Sequence, residues 1–188
     1  LYYYSRGEDM TAAEVFAPTV EGLVSIKGDS TSARVRNIQL YGLTFAYDDY
    51  LMSQLGDSRG WVSVQSLSQF TRYIKDGNWH PNSYNDITIP QGTVNLCNAD
   101  SILIQRNRFE HLGSAVSLNL ENDVVNTSVA GNCFTDLMGT SVNVGHPQHY
   151  KIGDGEQFPA GVEGVCKSIL IANNFVRNAC LDFRQIEG

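Results

Sequence analysis

At 188 residues, with 18% charged and 42% hydrophobic side chains, the chain is long and apolar enough to bury one sizeable core, which excludes a disordered, solvated polymer. The net charge of −7 excludes the basic footprint of a nucleic-acid partner. No apolar run approaches the roughly 20 residues that a membrane-spanning helix needs, so no membrane partner is expected.

The chain opens on "LYYY" and closes on "RQIEG", inside a strand-like run, and reads as one domain (1–188) cut from a longer protein. Residues 1–30 form a lead-in segment. Strand-like coils follow at 34–47, 93–120, 127–145 and 166–187, separated by excursions at 48–92 and 146–165.

The coils are copies of one pattern. "ILIQRNRFEHLGSAVSLNL" (Ile102 to Leu120) and "TSVAGNCFTDLMGTSVNVG" (Thr127 to Gly145) align on Asn107 and Asn132, which are 25 residues apart. Phe109 then matches Phe134, His111 matches Asp136, and Leu112 matches Leu137. With one residue inserted, Gly113 matches Gly139, and Ala115-Val116-Ser117-Leu118 matches Ser141-Val142-Asn143-Val144. A third copy, Ser168 to Ile186, puts Asn174 in the asparagine place and Val176 in the phenylalanine place. A degenerate early copy, Val35 to Tyr47, holds Leu40 and Phe45 in the apolar places.

Alternation dominates every copy (Ile102/Ile104, Val116/Leu118, Val142/Val144), and no copy has a helical period. Strands without hairpin signals at a period in the twenties point to a parallel coil, one turn per repeat. The expected fold is therefore all-β: a right-handed, single-stranded parallel β-helix (a solenoid) with long loop excursions. A β-sandwich of irregular strands is the alternative, but it does not explain Asn, Phe, Leu and Gly recurring in phase. The repeated Asn is expected at a turn, bonding the backbone of neighbouring coils and tolerating unusual φ and ψ, with the repeated Phe stacked inside.

Four cysteines (Cys97, Cys133, Cys166, Cys180) lack any CxxC spacing and read as buried thiols rather than as two disulfides. Function on such a scaffold belongs to the excursions and the outward columns. The first excursion carries Trp61 and Trp79, whose rings suit the apolar faces of sugars. His111, Asp136 and Asn178 form one polar column. Two more are read as Ala115–Ser141–Asp182 and Ser117–Asn143–Arg184, with His146 and His149 overhanging them. Paired carboxylates on a rigid groove are what glycoside hydrolysis needs. Asp182 and Asp136 are the expected catalytic pair, with Glu110, Asp48 and Asp49 behind them. His111, His146, Arg184, Trp61 and Trp79 are the expected substrate-binding groups. His146-x-x-His149 with Asp154 and Glu156 is the nearest approach to a metal site, but its spacing lacks a scaffold. No metal or other cofactor is expected.

The motifs also carry a resemblance. "LYYYSRGEDMTAAEVFAPTVEGLVSIKG", "VRNIQLYGLTFAYDDYL", "GWVSVQS" and the three coils "NRFEHLGSAVSL", "VAGNCFTDLMGTSVNVG" and "IANNFVRNACLDF" resemble β-helix proteins of glycoside hydrolase family 141, which includes α-L-fucosidases and xylanases. The resemblance implies a carbohydrate substrate, an acidic residue at Asp182 before the aromatic Phe183, and further coils of a parent chain as neighbours. Asp48-Asp49-Tyr50 departs from the Thr-rich stretch of relatives, and Cys180 stands where a Gly is usual.

The leading expectation is a secreted, periplasmic or cell-surface glycoside hydrolase that acts on a plant or microbial polysaccharide. A non-catalytic carbohydrate-binding or adhesin-like β-helix is the second, and a polysaccharide lyase the third.

Overall fold

The structure is a computed structural model that describes residues 6–50, 91–145 and 164–181, and the backbone of strands within 59–88. The described residues form seventeen strands and no helix. The first coil comprises β1 (Val24–Lys27), β2 (Val35–Arg36), β3 (Gln39–Tyr41) and β4 (Thr44–Ala46). Four strands of the first excursion follow: β5 (Arg59–Val62), β6 (Gln69–Lys75), β7 (Asn78–Pro81) and β8 (Ile87–Thr88). The second coil is β9 (Val94–Asp100), β10 (Leu103–Gln105) and β11 (Arg108–Leu112). The third is β12 (Val116–Val125), β13 (Ser128–Ala130) and β14 (Cys133–Leu137). The fourth is β15 (Thr140–Val144), β16 (Leu170–Ala172) and β17 (Phe175–Arg177).

Equivalent strands of successive coils pair in parallel and build three sheets. The first runs β1-β9-β12-β15, with β2 also on β9; the second runs β3-β10-β13-β16; the third runs β4-β11-β14-β17. The chain visits the three sheets in turn and returns to the first one coil further on, the path of a β-solenoid. Its first coil begins inside the segment read as lead-in, because Val24–Lys27 pairs with Val94–Cys97.

The corners explain how short strands turn so sharply. Between the first and second sheets the chain passes through Asn37, Ser101, Asn126 and Ser168, and between the second and third through Gly42, Arg106, Gly131 and Asn173. All are left-handed, with φ between 51° and 68°. One such residue redirects an extended chain without a hairpin.

The repeated asparagines follow these corners. Asn132 Oδ1 accepts the backbone N–H of Asn107 at 3.0 Å, and Asn174 Oδ1 accepts that of Asn132 at 2.9 Å. Each amide then donates to the coil before it: Asn107 to Leu40 O, Asn132 to Ile104 O, and Asn174 to Val129 O. The bonding between coils is as expected, but the unusual φ belongs to the preceding residue (Arg106, Gly131, Asn173). The asparagine's role is to satisfy buried backbone groups that the turn takes out of the ladder.

Inside, Phe45, Phe109 and Phe134 stack with ring centroids 4.9 and 4.6 Å apart. Ile104, Val129, Leu118 and Leu120 fill the remaining walls with no exposed surface. In the last described coil the same core places are open: Ile171 is 49% and Val176 45% exposed. The four cysteines are free thiols, each partly buried.

Two expectations need correction. In the first sheet, Val116 pairs with Thr140, Leu118 with Val142, and Asn119 with Asn143. Gly113–Ala115 separates β11 from β12, whereas only Met138 and Gly139 separate β14 from the residue that matches Val116, so the later corner is shorter, not longer. Ser141 thus lies beside Ser117, and the columns Ala115–Ser141 and Ser117–Asn143 do not form. The first excursion, read as a loop, contains an antiparallel sheet ordered β5-β6-β7, with β8 also on β6. Lys75 pairs with Asn78, so only Asp76-Gly77, a hairpin sequence, separates β6 from β7.

Candidate functional site

The third corner, where each coil leaves the third sheet, differs from the other two. Its left-handed residues are Tyr47 (φ 62°), His111 (φ 55°), Asp136 (φ 56°) and Asn178 (φ 53°). For side chains other than Gly, Asn and Asp this conformation costs about 1–2 kcal/mol, which leaves Tyr47 and His111 as the strained positions. The other corners use Gly or Asn, which lower that cost, at five of eight places, with Ser101, Ser168 and Arg106 at the rest. Bulky residues kept in strained backbone mark a place where the side chain matters.

These side chains meet in a line. His111 Nδ1 lies 2.5 Å from Asp136 Oδ2. On the other side the Tyr47 ring stacks on the imidazole, centroids 5.5 Å apart and planes 15° from parallel. Phe16, from the lead-in, stacks on Tyr47 at 4.2 Å and 17°. His111 and Asp136 are about half exposed, at 50% and 48% of their side chains. They open onto a cleft of about 460 Å³ whose lining also includes Pro18, Asp48, Asp49 and Met138.

Asp48 is the buried floor of this cleft, only 1% exposed. Its Oδ1 accepts the backbone N–H groups of Gly113 (2.9 Å) and Ser114 (3.1 Å), and its Oδ2 lies 2.5 Å from Thr93 Oγ1. Thr93 Oγ1 is 2.7 Å from Ser114 Oγ, which is 2.9 Å from Val116 O. Thr93 Oγ1 donates to Asp48 Oδ2, and Ser114 Oγ donates to Val116 O. Burial raises the Asp48 carboxyl above the ordinary aspartate range, against the opposing pull of the donors from Thr93, Ser114 and Gly113. Gly113 is required beneath it, because a Cβ there would stand 2.6 Å from Asp48 O.

Asp49 lines the cleft, and one of its carboxylate oxygens accepts the Tyr50 N–H at 2.7 Å. Glu110 is turned to Arg108 at 2.8 Å and does not line the cleft. Asp182, Arg184, His146, His149, Asp154 and Glu156 lie outside the described residues. Trp61 and Trp79 belong to β5 and β7, whose side chains are likewise outside the description. The structure therefore brings together His111, Asp136, Asp48 and Asp49 of the residues expected from sequence. It adds Tyr47 and Phe16. Tyr47 was legible: it stands two residues after Phe45, as His111 does after Phe109 and Asp136 after Phe134.

Chemically, the cleft offers carboxyl groups in different settings, one buried and two lining an open wall, beside an imidazole and an aromatic stack. Such a set can bind a polar ring and move protons around it. No family model matches the chain, and no curated protein matches it. A solved structure titled "Glycoside hydrolase" matches 96% of the chain with a TM-score of 0.72 and 25% sequence identity. The chain spans about a third of that structure, 31% of its length.

Proposed function

We propose that this chain is part of a carbohydrate-active glycoside hydrolase whose site is the cleft at the third corner. The observation that carries the reading is the group of Asp136, Asp49 and Asp48 around one cleft of about 460 Å³ beside His111. Hydrolysis of a glycosidic bond needs a proton donor and a second group that assists water or attacks the sugar. Strands stacked in parallel hold such groups at fixed spacing. The similarity to a structure titled "Glycoside hydrolase" points the same way.

The finer reading follows the sequence. The solenoid is a right-handed, single-stranded β-helix, the hand that parallel crossovers adopt in nearly all cases. Its resemblance is to glycoside hydrolase family 141, and its substrate is a plant or microbial polysaccharide met in a secreted, periplasmic or cell-surface setting. Asp182 joins Asp136 as a carboxylate of the site, and His146, Arg184, Trp61 and Trp79 contact the sugar. The half-exposed core places Ile171 and Val176 receive further coils of the parent chain.

The test is hydrolysis of a panel of polysaccharides and aryl glycosides by the full-length protein, beside Asp136→Asn. Cleavage that falls in the variant supports the reading. Sugar binding with no cleavage of any substrate leaves a carbohydrate-binding module in its place.

A further inference from the structure

Three separate constraints converge on one side chain of the cleft. The His111 backbone is held left-handed at φ 55°. Its Nδ1 is tied to Asp136 Oδ2 at 2.5 Å. Its ring plane is set by Tyr47, 15° from parallel. Among the described residues no hydrogen bond reaches Nε2, although half of the side chain is open to solvent. A neutral imidazole facing a carboxylate through Nδ1 carries its proton on that nitrogen, which leaves Nε2 as a lone pair in a fixed direction. Asp136, by contrast, has an oxygen committed to the ring.

We propose that His111 is the general base of the cleft and Asp136 its positioning residue. This rests on the glycoside hydrolase reading and reverses the roles expected from sequence, where Asp136 was catalytic and His111 bound substrate. The groups facing the imidazole are Asp136 on the following coil and Tyr47 on the preceding one, with Asp48 and Asp49 in the same cleft lining.

The step is a hydrolysis. A water oxygen forms a bond to the anomeric carbon while one of its protons passes to His111 Nε2. The bond from that carbon to the glycosidic oxygen breaks, and its electron pair stays on the leaving oxygen. That oxygen takes up one proton from the proton donor that glycoside hydrolysis requires, which solvent then replenishes, and His111 later returns one to solvent, so the sum is one water consumed and two hydroxyl groups formed. No oxidant or metal is needed for this balance.

The test is the pH profile of kcat/KM for the full-length protein on an aryl glycoside that it cleaves. His111→Gln is expected to lower kcat/KM by about 10²–10⁴-fold, the usual contribution of a general base. Added imidazole is expected to restore part of the rate of His111→Gly, which a purely structural histidine would not allow. Asp136→Asn keeps an acceptor for Nδ1–H and is expected to lose less than His111→Gln. Its pH profile should keep the acid limb that His111→Gln loses. Full activity and an unchanged profile in His111→Gln, with activity abolished in Asp136→Asn, would make Asp136 the chemical group and overturn the inference. A wild type that cleaves no glycoside overturns the functional reading and this inference with it. The two failures are told apart by whether the wild type is active.

Discussion

Asn132 Oδ1 accepts two hydrogen bonds from Asn107, from its backbone N–H at 3.0 Å and its side-chain amide at 3.1 Å, while Asn132 itself donates to Ile104 O at 2.9 Å. One buried side chain therefore satisfies polar groups of the coil that precedes it. Asn132→Ala leaves those partners unpaired in the core, at about 1–3 kcal/mol for each buried orphan. A loss of at least about 3 kcal/mol is expected in urea unfolding. Asn132→Asp keeps the acceptor but faces Ile104 O with a carboxylate, so it should not rescue the loss.

Gly139 makes the short corner between β14 and β15 possible. A Cβ there would overlap Ala115 O, a backbone atom of the coil below that has no room to move. Gly139→Ala should force the two coils apart and destabilise by several kcal/mol, on the order of the severe class of core mutations. Gly131→Ala meets only Arg106 Cγ at 3.9 Å, an ordinary contact, and should cost little more than its left-handed φ of 68° demands. Thermal unfolding of the two variants side by side separates close approach from backbone conformation.

Asp48 predicts an unusual pH dependence. Its folded carboxyl titrates above the ordinary aspartate range. The folded state therefore binds this proton more tightly than the unfolded state. The resulting stabilisation is complete below the unfolded value and is lost as pH rises through the folded one. Asp48→Asn supplies the same acceptor to Gly113 and Ser114 and turns an amide N–H to Thr93, whose hydroxyl oxygen accepts in place of donating. The variant is expected to fold, and to lack that part of the decline in stability with rising pH. Chemical denaturation across the pH range checks both; a variant whose stability declines with rising pH as steeply as the wild type's would refute the link to Asp48.

Tyr47 should show opposed effects on stability and activity. Tyr47→Asn relieves part of a left-handed strain of about 1–2 kcal/mol. It loses stacking on Phe16 and His111 worth about 0.5–1.5 kcal/mol for each aromatic pair. Net stability is expected to stay within about 1 kcal/mol. Glycoside hydrolysis should drop, because the imidazole plane is no longer fixed. Comparing the melting temperature with the rate of the same preparation tests it.

The repeat was legible because the coils mark themselves with Asn and Phe at the second and third sheets, where the second and third coils stand a constant 25 residues apart. It failed at the first sheet, which has no such marker and whose approach is three residues long in one coil and two in the next. The strand Val24–Lys27 was hidden because its partners lie beyond the whole first excursion. Asp76-Gly77 did signal a hairpin, but it lies in the first excursion, outside the repeating coils. At the site, the His111–Asp136 column was readable from phase alone. The buried role of Asp48 was not, since its partners Thr93 and Ser114 are brought to it only by the stacking of coils.

The most direct test of the central claim is a crystal structure of the full-length His111→Gln variant soaked with an oligosaccharide that the wild type cleaves. The account predicts a sugar in the cleft between Tyr47, Asp136 and Asp49, with the anomeric carbon, not the glycosidic oxygen, facing position 111 across the space of one water. A sugar bound at another face of the solenoid, with this cleft empty, would contradict it.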